Sequence, residues 1–407
     1  MNVYISGISG TGMGPLALMA KQAGMNISGS DLSEGAVYDE LKDAGIEMKI
    51  GAQDGEFLKK KLEQGVDWFV YTSALPEDHD ELILARDAGV KCTKRDDFTA
   101  YLVDKLGLRM VAVAGTHGKT TTTAMIIWVA LKLGLPAAYI VGTTLGFAPS
   151  GAYHPEDKFF VYEADEYDRN FMKYYPWIAV VTTVSYDHPD VYPTKSEYEE
   201  AFEQFEKQSE TVIESSSFDK DDFKLAGEVR RGDAALAAEA ILRMDSTLRR
   251  EKIVEVLNEF PGVGRRFERI VDGVYTDYAH HPEEIAATVD IAKDEARLRN
   301  KKGVVVVYQP HQNTRQHEVR EEYRDAFEGV DKIFWLPTYL TREDSNLPIL
   351  TPKELVAELD NKEVAEVANL DNDLARRLKQ YVVDGYLVLL MTAGPADNWW
   401  RENFASD

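Results

Sequence analysis

Short runs of β-branched and aromatic residues alternate with stretches whose apolar positions recur at helical spacing, the pattern of parallel sheets covered by helices on both faces. The alternation occurs three times over. A first passage opens with a strand at Asn2 to Ser6, turns through a Gly-rich segment into a helix, and continues through strands near Ile27 and from Asp67 to Thr72. A second opens with a strand from Arg109 to Ala114, another Gly-rich turn and a helix from Lys119 to Leu133, followed by strands at Phe159 to Glu163 and Ile178 to Val184. Over Lys195 to Lys207, Tyr198, Phe202 and Phe205 fall at i, i+4 and i+7, one packed face of a helix whose other face is acidic. Ser215 to Asp222 reads as a loop and the Ala-rich run Ala234 to Leu242 as a helix. Phe260-Pro261-Gly262-Val263-Gly264 then breaks the pattern, as an interdomain hinge would. The third passage carries strands at Val274 to Tyr278, Gly303 to Tyr308, Lys332 to Leu336 and Tyr386 to Met391. The expectation is an α/β chain of three domains, over residues 1–106, 107–262 and 263–407.

Composition narrows the function. With 407 residues, 44% hydrophobic and 29% charged, the chain has core-forming residues for several domains, which excludes disorder over most of its length. Asp and Glu number 70 against 46 Lys and Arg, a net charge of −24, and such a surface repels phosphate backbones and anionic lipid. No nucleic-acid or membrane partner is expected. The longest apolar run, around Met125 to Leu131, is far below the roughly 20 residues of a membrane-spanning helix. The single cysteine, Cys92, excludes an internal disulfide and a Cys-rich metal site, and reads as a core thiol. No targeting segment is read ahead of the first strand, and with one cysteine a reducing cytoplasm fits best; a monomer or homodimer is expected.

The two Gly-rich turns carry different chemistry. Residues 115 to 120 read Gly-Thr-His-Gly-Lys-Thr between a buried strand and a helix, with threonines again at 121 to 123. A phosphate loop works because small residues let backbone N–H groups curl round a phosphate at a helix N-terminus while a lysine neutralises the β and γ oxygens. The adjacent hydroxyl can ligate Mg²⁺. The usual spacing wants glycine five residues before Lys119, where Ala114 stands, so this loop is a shortened variant that points to ATP. The first turn, Gly7-Ile-Ser-Gly-Thr-Gly-Met13, follows the opening strand and approaches the dinucleotide fingerprint, except that Ser9 occupies its second glycine. Ser28-Gly-Ser-Asp31 follows the next strand and sets an acidic side chain where a ribose would lie. NAD and a nucleotide-sugar diphosphate are both compatible with that turn.

These turns, taken with further blocks, resemble the Mur ligase family, the ATP-dependent amino-acid ligases of peptidoglycan assembly. The blocks are Tyr71-Thr-Ser-Ala-Leu, Glu163-Ala-Asp-Glu-Tyr-Asp-Arg-Asn-Phe, Tyr186-Asp-His-Pro-Asp, Gly264-Arg-Arg-Phe-Glu, Asp277-Tyr-Ala-His-His-Pro-Glu-Glu, Tyr308-Gln-Pro-His-Gln-Asn-Thr-Arg and Leu336-Pro-Thr-Tyr-Leu-Thr-Arg-Glu. They run from residue 3 to about 397 in family order. The resemblance implies a Rossmann-like first domain that binds a UDP-sugar, a shortened central P-loop ATPase domain, and a Rossmann-like third domain that binds the amino acid. It implies ATP and Mg²⁺ as cofactors, UDP-N-acetylmuramate and L-alanine as substrates, and amide formation through an acyl phosphate. Joining recycled murein tripeptide to the same sugar, and non-catalytic nucleotide-sugar binding, are the alternatives.

Roles follow from the same resemblance. Gly10, Thr11, Gly12 and Met13 would surround the UDP pyrophosphate, Ser30 and Asp31 the nucleoside side, and Ser73 and Ala74 the same pocket. Gly115, Thr116, His117, Gly118, Lys119, Thr120 and Thr121 would hold ATP phosphates, and Asp277 its ribose. Thr120, Glu163 and His188 would ligate metal; Arg266 would stabilise the transferring phosphoryl group. Tyr278 and His280 would line the amino-acid pocket, with Arg315 on the carboxylate. This chain departs from the family at Gln312, where alanine-adding members carry arginine, so Arg315 would act largely alone. It departs again in the adenine-contacting block, here Gly227-Glu-Val-Arg-Arg-Gly-Asp233, so contacts at Val229 and Asp233 are not carried over, and in the closing block Ala393-Gly-Pro-Ala-Asp397.

Overall fold

The computed structural model describes residues 1–72, 75–186, 191–341, 343–344 and 346–404. Three sheets form along the chain. The first is built from β1 (Asn2–Ser6), β2 (Asn26–Asp31), β3 (Glu47–Ile50), β4 (Trp68–Tyr71) and β5 (Lys91–Lys94), in the order β3-β2-β1-β4-β5 with every pair parallel. The chain winds outward from β1 on one side and from β4 on the other, so a topological switch point lies at the carboxyl ends of β1 and β4, where open α/β sheets bind ligands.

The second sheet holds β6 (Arg109–Ala114), β7 (Ala137–Ile140), β8 (Gly151–Ala152), β9 (Phe159–Glu163), β10 (Ile178–Val181) and β11 (Thr211–Ile213), in the order β11-β10-β6-β9-β7-β8. Only the short edge strand β8 runs antiparallel. The central strand β6 leads through the second Gly-rich turn into the helix Lys119–Leu133, buried from Thr122 to Ala130 because apolar residues surround it on all sides. The strand expected from Ile178 to Val184 stops at Val181, because Thr182 and Thr183 turn their hydrogen bonds onto the Gly-rich loop. Tyr198, Phe202 and Phe205 are buried as the periodicity requires.

The first two sheets belong to one compact unit, Met1–Phe223 with Gly232–Phe260. Its core is continuous: the helix Gly14–Gln22 is buried from Gly14 to Ala20 and sits among residues of both sheets. The approach is close enough that a Cβ on Gly151 of β8 would stand 2.2 Å from the carbonyl oxygen of Pro15. Glu40 accepts the Ser150 amide and hydroxyl at 2.8 Å each, and Asp96 accepts the hydroxyls of Tyr162 at 3.1 Å and Tyr174 at 2.8 Å.

The second unit comprises Lys224–Arg231 and Pro261–Asp407. Its sheet runs β12-β13-β17-β14-β15-β16, from β12 (Glu268–Val271), β13 (Val274–Asp277), β14 (Val304–Gln309), β15 (Lys332–Trp335), β16 (Ala365–Val367) and β17 (Leu387–Thr392), with only β12 antiparallel. Alternate residues feed two cores: Val304, Val306 and Tyr308 face one layer, Val305 and Val307 the other, as a sheet buried on both faces demands. Cys92, expected in the core, is instead half-buried on the edge strand β5, where its thiol donates to the Val90 carbonyl at 3.3 Å.

Candidate functional site

The Gly-rich turn after β1 opens at the switch point of the first sheet. A cavity of about 370 Å³ lies there, lined by Gly7, Gly10, Thr11, Gly12, Met13, Asp31, Thr72, Lys94, Arg95 and Asp96. Asp31 anchors the turn, accepting the amides of Ser9 at 2.9 Å and Leu32 at 2.8 Å. Ser30, expected on the nucleoside side, is wholly buried. Its hydroxyl donates to Glu81 at 2.7 Å, alongside the hydroxyls of Tyr4 and Ser6. The Ser30 side chain therefore stiffens the floor beneath the cavity. Ser73 and Ala74 lie outside the described residues, as does His188. Lys94 and Arg95 were invisible to motif reasoning, because it is the end of β5, beyond β4 in the sheet, and the helix after it that bring them to the cavity at the first Gly-rich turn.

The second turn sits between β6 and its helix. Gly115 has φ of +138°, and a Cβ there would meet Thr182 Oγ1 at 2.0 Å, so only glycine fits. The Thr182 hydroxyl donates to the carbonyls of Ala114 and His117, at 3.1 and 2.5 Å, and the Thr116 amide donates to Thr183 at 2.6 Å. The side chain of His117 stays exposed. Lys119 Nζ donates to the carbonyls of Gly115 at 2.5 Å and Thr116 at 3.2 Å, and pairs with Glu166 at 2.8 Å. Glu166 is 1% exposed, a buried partner that the sequence reading passed over. Thr120 and Thr121 follow Lys119 in the first turn of the helix. The Thr120 hydroxyl donates to both oxygens of Glu163, at 2.9 and 3.0 Å. A hydroxyl and a carboxylate gathered at a helix N-terminus are hard oxygen donors of the kind Mg²⁺ takes beside phosphate and water. Among the described residues no group of three or more His, Cys, Asp or Glu forms a metal cluster.

In the second unit, Arg266 lies between Arg265 and Phe267, whose φ values of 55° and 48° are left-handed, strain of the kind stored at functional sites. Its guanidinium stands 5.5 Å from the Tyr278 ring centre. The Tyr278 ring is 5.5 Å from that of His280, which is 5.8 Å from His311. His280 Nδ1 stands 3.1 Å from the Tyr278 carbonyl and 3.2 Å from Glu284, both acceptors, so Nδ1 carries the proton and Nε2 is left as an acceptor. Burial holds the imidazole below its usual range, opposed by Glu284 and assisted by the charges of Arg315 and Arg266. His280 is therefore neutral near pH 7. Burial works against ionisation of Glu284, yet His280, the amides of His280 and His281, and Arg266 hold its carboxyl low.

Arg315 is left in want of an anion. Its Nη1 is buried without a hydrogen-bond partner among the described residues. A buried guanidinium nitrogen so placed favours a planar carboxylate. Neighbouring Gln312 has φ of 63°, an uncommon conformation for a residue other than glycine, held by its amide donating to Tyr339 at 2.9 Å. Asp277 is the residue expected at the ATP ribose. It is buried, and its oxygens accept the amides of Phe267 at 2.6 Å and Ala279 at 2.7 Å, so it shapes the turn that presents Arg266. Burial pushes its carboxyl above the usual range. Asp233, from the divergent adenine block, lies against the second Gly-rich turn, its carboxylate within 2.6 Å of where a Gly118 Cβ would stand.

Three family models match in chain order. They are described as the Mur ligase family catalytic domain over residues 2–105, the Mur ligase middle domain over 113–221, and the Mur ligase glutamate ligase domain over 265–394. The chain belongs to the Mur ligase family. Among the relatives of this Mur ligase is the UDP-N-acetylmuramate–L-alanine ligase of Symbiobacterium thermophilum, 31% identical across 98% of this chain and 92% of that one. The enzyme of the same name from Clostridium acetobutylicum is 28% identical over 96% and 95%. The crystal structure of UDP-N-acetylmuramate-alanine ligase from Thermotoga maritima aligns with a TM-score of 0.76 at 23% identity, covering 99% of this chain and 98% of that one. A murein peptide ligase from Psychrobacter arcticus aligns at 0.63 and 22%, covering 100% and 99%. The two structural likenesses concern the fold. No described helix is long and apolar enough to cross a membrane.

Proposed function

We propose that this Mur ligase joins L-alanine to the lactyl carboxylate of UDP-N-acetylmuramate with ATP, releasing ADP and phosphate. The observation that carries this reading is the match along nearly the whole chain to ligases bearing that name. In the reaction a carboxylate oxygen bonds to the γ-phosphorus as the bond to ADP breaks. The amine nitrogen then attacks the acyl carbon, phosphate leaves, and the nitrogen gives up its protons.

Each half has residues fitted to it. Lys119, tethered by two loop carbonyls and Glu166, supplies a fixed cation to β and γ oxygens that would otherwise repel the incoming carboxylate. Thr120 and Glu163 would hold Mg²⁺, which when bound supplies further positive charge to the phosphoryl group. Arg315 takes the alanine carboxylate, and neutral His280, with Nε2 open, is the group suited to accept a proton from the ammonium. Arg266 steadies charge on the transferring phosphoryl group. The domains at 1–106, 107–262 and 263–407 take the UDP-sugar, ATP and the amino acid respectively.

The test is phosphate release from Mg-ATP and UDP-N-acetylmuramate with L-alanine, glycine, L-serine or murein tripeptide offered in parallel. Release that depends on alanine, with the amide recovered, is expected. Release with tripeptide alone would transfer the protein to murein recycling, and binding of the sugar nucleotide without turnover would reduce it to a binder.

A further inference from the structure

Lys94 and Arg95 break a local rule. Lys94 is the N-cap and Arg95 the first residue of the helix Arg95–Leu106, so two cations stand at the positive end of a helix dipole, where acidic side chains are favoured. Asp96 and Asp97 in the same turn offset part of that conflict. Residues that defy local preference without a packing reason mark function. Both side chains line the cavity at the first Gly-rich turn, on a protein of net charge −24.

The orientation of Arg95 narrows the role. Its Nε and Nη2 donate to Asp96 Oδ1 at 3.3 and 3.2 Å, which fixes one edge of the guanidinium. The same oxygen of Asp96 also accepts the hydroxyls of Tyr162 and Tyr174, which holds the carboxylate in place. The remaining nitrogen, Nη1, points at the turn: a Cβ on Gly12 would lie 2.6 Å from it. Among the described residues no acceptor meets Nη1. Lys94, its neighbour, pairs with Asp168 at 3.1 Å, a half-exposed contact that an entering anion can exchange.

The geometry points to Arg95, backed by Lys94, as the cationic wall that grips the diphosphate of the nucleotide-sugar against the Gly10–Gly12 turn. The inference rests on the proposed function and names a specificity residue for it. The backbone amides of the turn give shape, and the free guanidinium nitrogen adds a charge-assisted donor suited to a phosphate oxygen. Arg95 thereby discriminates by charge, and its contribution belongs to the diphosphate and not to the base.

The test is calorimetric binding of UDP and of uridine to the wild type, Arg95→Met and Arg95→Lys, with excess ADP keeping the second loop filled. The wild type should prefer UDP over uridine. Arg95→Met should weaken UDP by about tenfold or more while uridine moves less than about twofold, the loss of one charge-assisted contact, and Arg95→Lys should fall between. Equal weakening of both ligands would make Arg95 a structural partner of Asp96 and overturn the inference, as would an unchanged UDP preference in Arg95→Met. No UDP preference in the wild type would also overturn it, and alanine-dependent phosphate release would then decide separately whether the ligase reading stands.

Discussion

Arg315 is the side chain whose surroundings ask most plainly for a ligand. A buried guanidinium nitrogen without an acceptor is unfavourable in the unliganded protein, and a carboxylate relieves it. Arg315→Met is expected to raise the alanine KM by about 10- to 100-fold, the scale of a hydrogen bond to a charged group, with the KM for ATP unmoved. Steady-state kinetics with each substrate varied in turn checks this, and a fall in kcat alone would deny Arg315 a binding role. Glu166 belongs to the same scale. Its carboxylate sits in the Lys119 tether, so Glu166→Gln should loosen the lysine and raise the ATP KM more than the alanine KM. Residue identity told much here: Lys119, Thr120 and Glu163 were legible from adjacency to a glycine turn or a strand end. Glu166 was not, because nothing in Glu163-Ala-Asp-Glu-Tyr-Asp says which carboxylate turns inward to the lysine.

At the scale of elements, what sequence reveals depends on burial. Strands buried on both faces, such as β6, β14 and β17, read as unbroken apolar runs and were found within a residue or two. The edge strands β3, β5 and β16 read Glu-Met-Lys-Ile, Lys-Cys-Thr-Lys and Ala-Glu-Val, polar as edges must be, and left no signal. β16 is held by charge. Glu366 accepts both Arg377 nitrogens, at 2.7 and 2.8 Å, and Lys332 of β15 at 2.9 Å. Those hydrogen bonds, Arg377 foremost, lower its carboxyl from 4.5 to about 2 against the pull of burial. Because the folded value is depressed, the stabilisation is fully present above about pH 4.5 and is lost as pH falls toward about 2. Glu366→Gln should therefore melt below the wild type at pH 7, with the gap in Tm closing on acidification; a gap constant with pH would rule out charge as the cause. Packing governs the other unit. Gly151→Ala places a methyl group 2.2 Å from the Pro15 carbonyl, and overpacking of that kind costs about 1–3 kcal/mol, which denaturant titration would read as a lower midpoint.

The whole molecule divides its chemistry between two units. The residues proposed for the UDP-sugar and for the phosphate loop that holds ATP lie in Met1–Phe223 and Gly232–Phe260, while Arg266, proposed for the transferring phosphoryl group, and the residues for the amino acid lie in Pro261–Asp407. Within the first unit the two nucleotide sites are built on different sheets, one on the turn after β1 and the other on the turn after β6. They share a core, through the helix Gly14–Gln22 and the grip of Tyr162 and Tyr174 on Asp96, but among the described residues no side chain of the second turn lines the cavity at the first. Lys119→Ala is thus expected to abolish phosphate release while UDP-N-acetylmuramate binds within about twofold of the wild type, since a local cation is removed and the cavity at Gly10–Gly12 is left intact. Calorimetry on the variant, with its thermal unfolding as a control for folding, makes the comparison. If sugar-nucleotide binding fell together with phosphate release in a folded variant, the two sites would be energetically one, and the shared core would have to transmit the loss of a single lysine from β6 to β1.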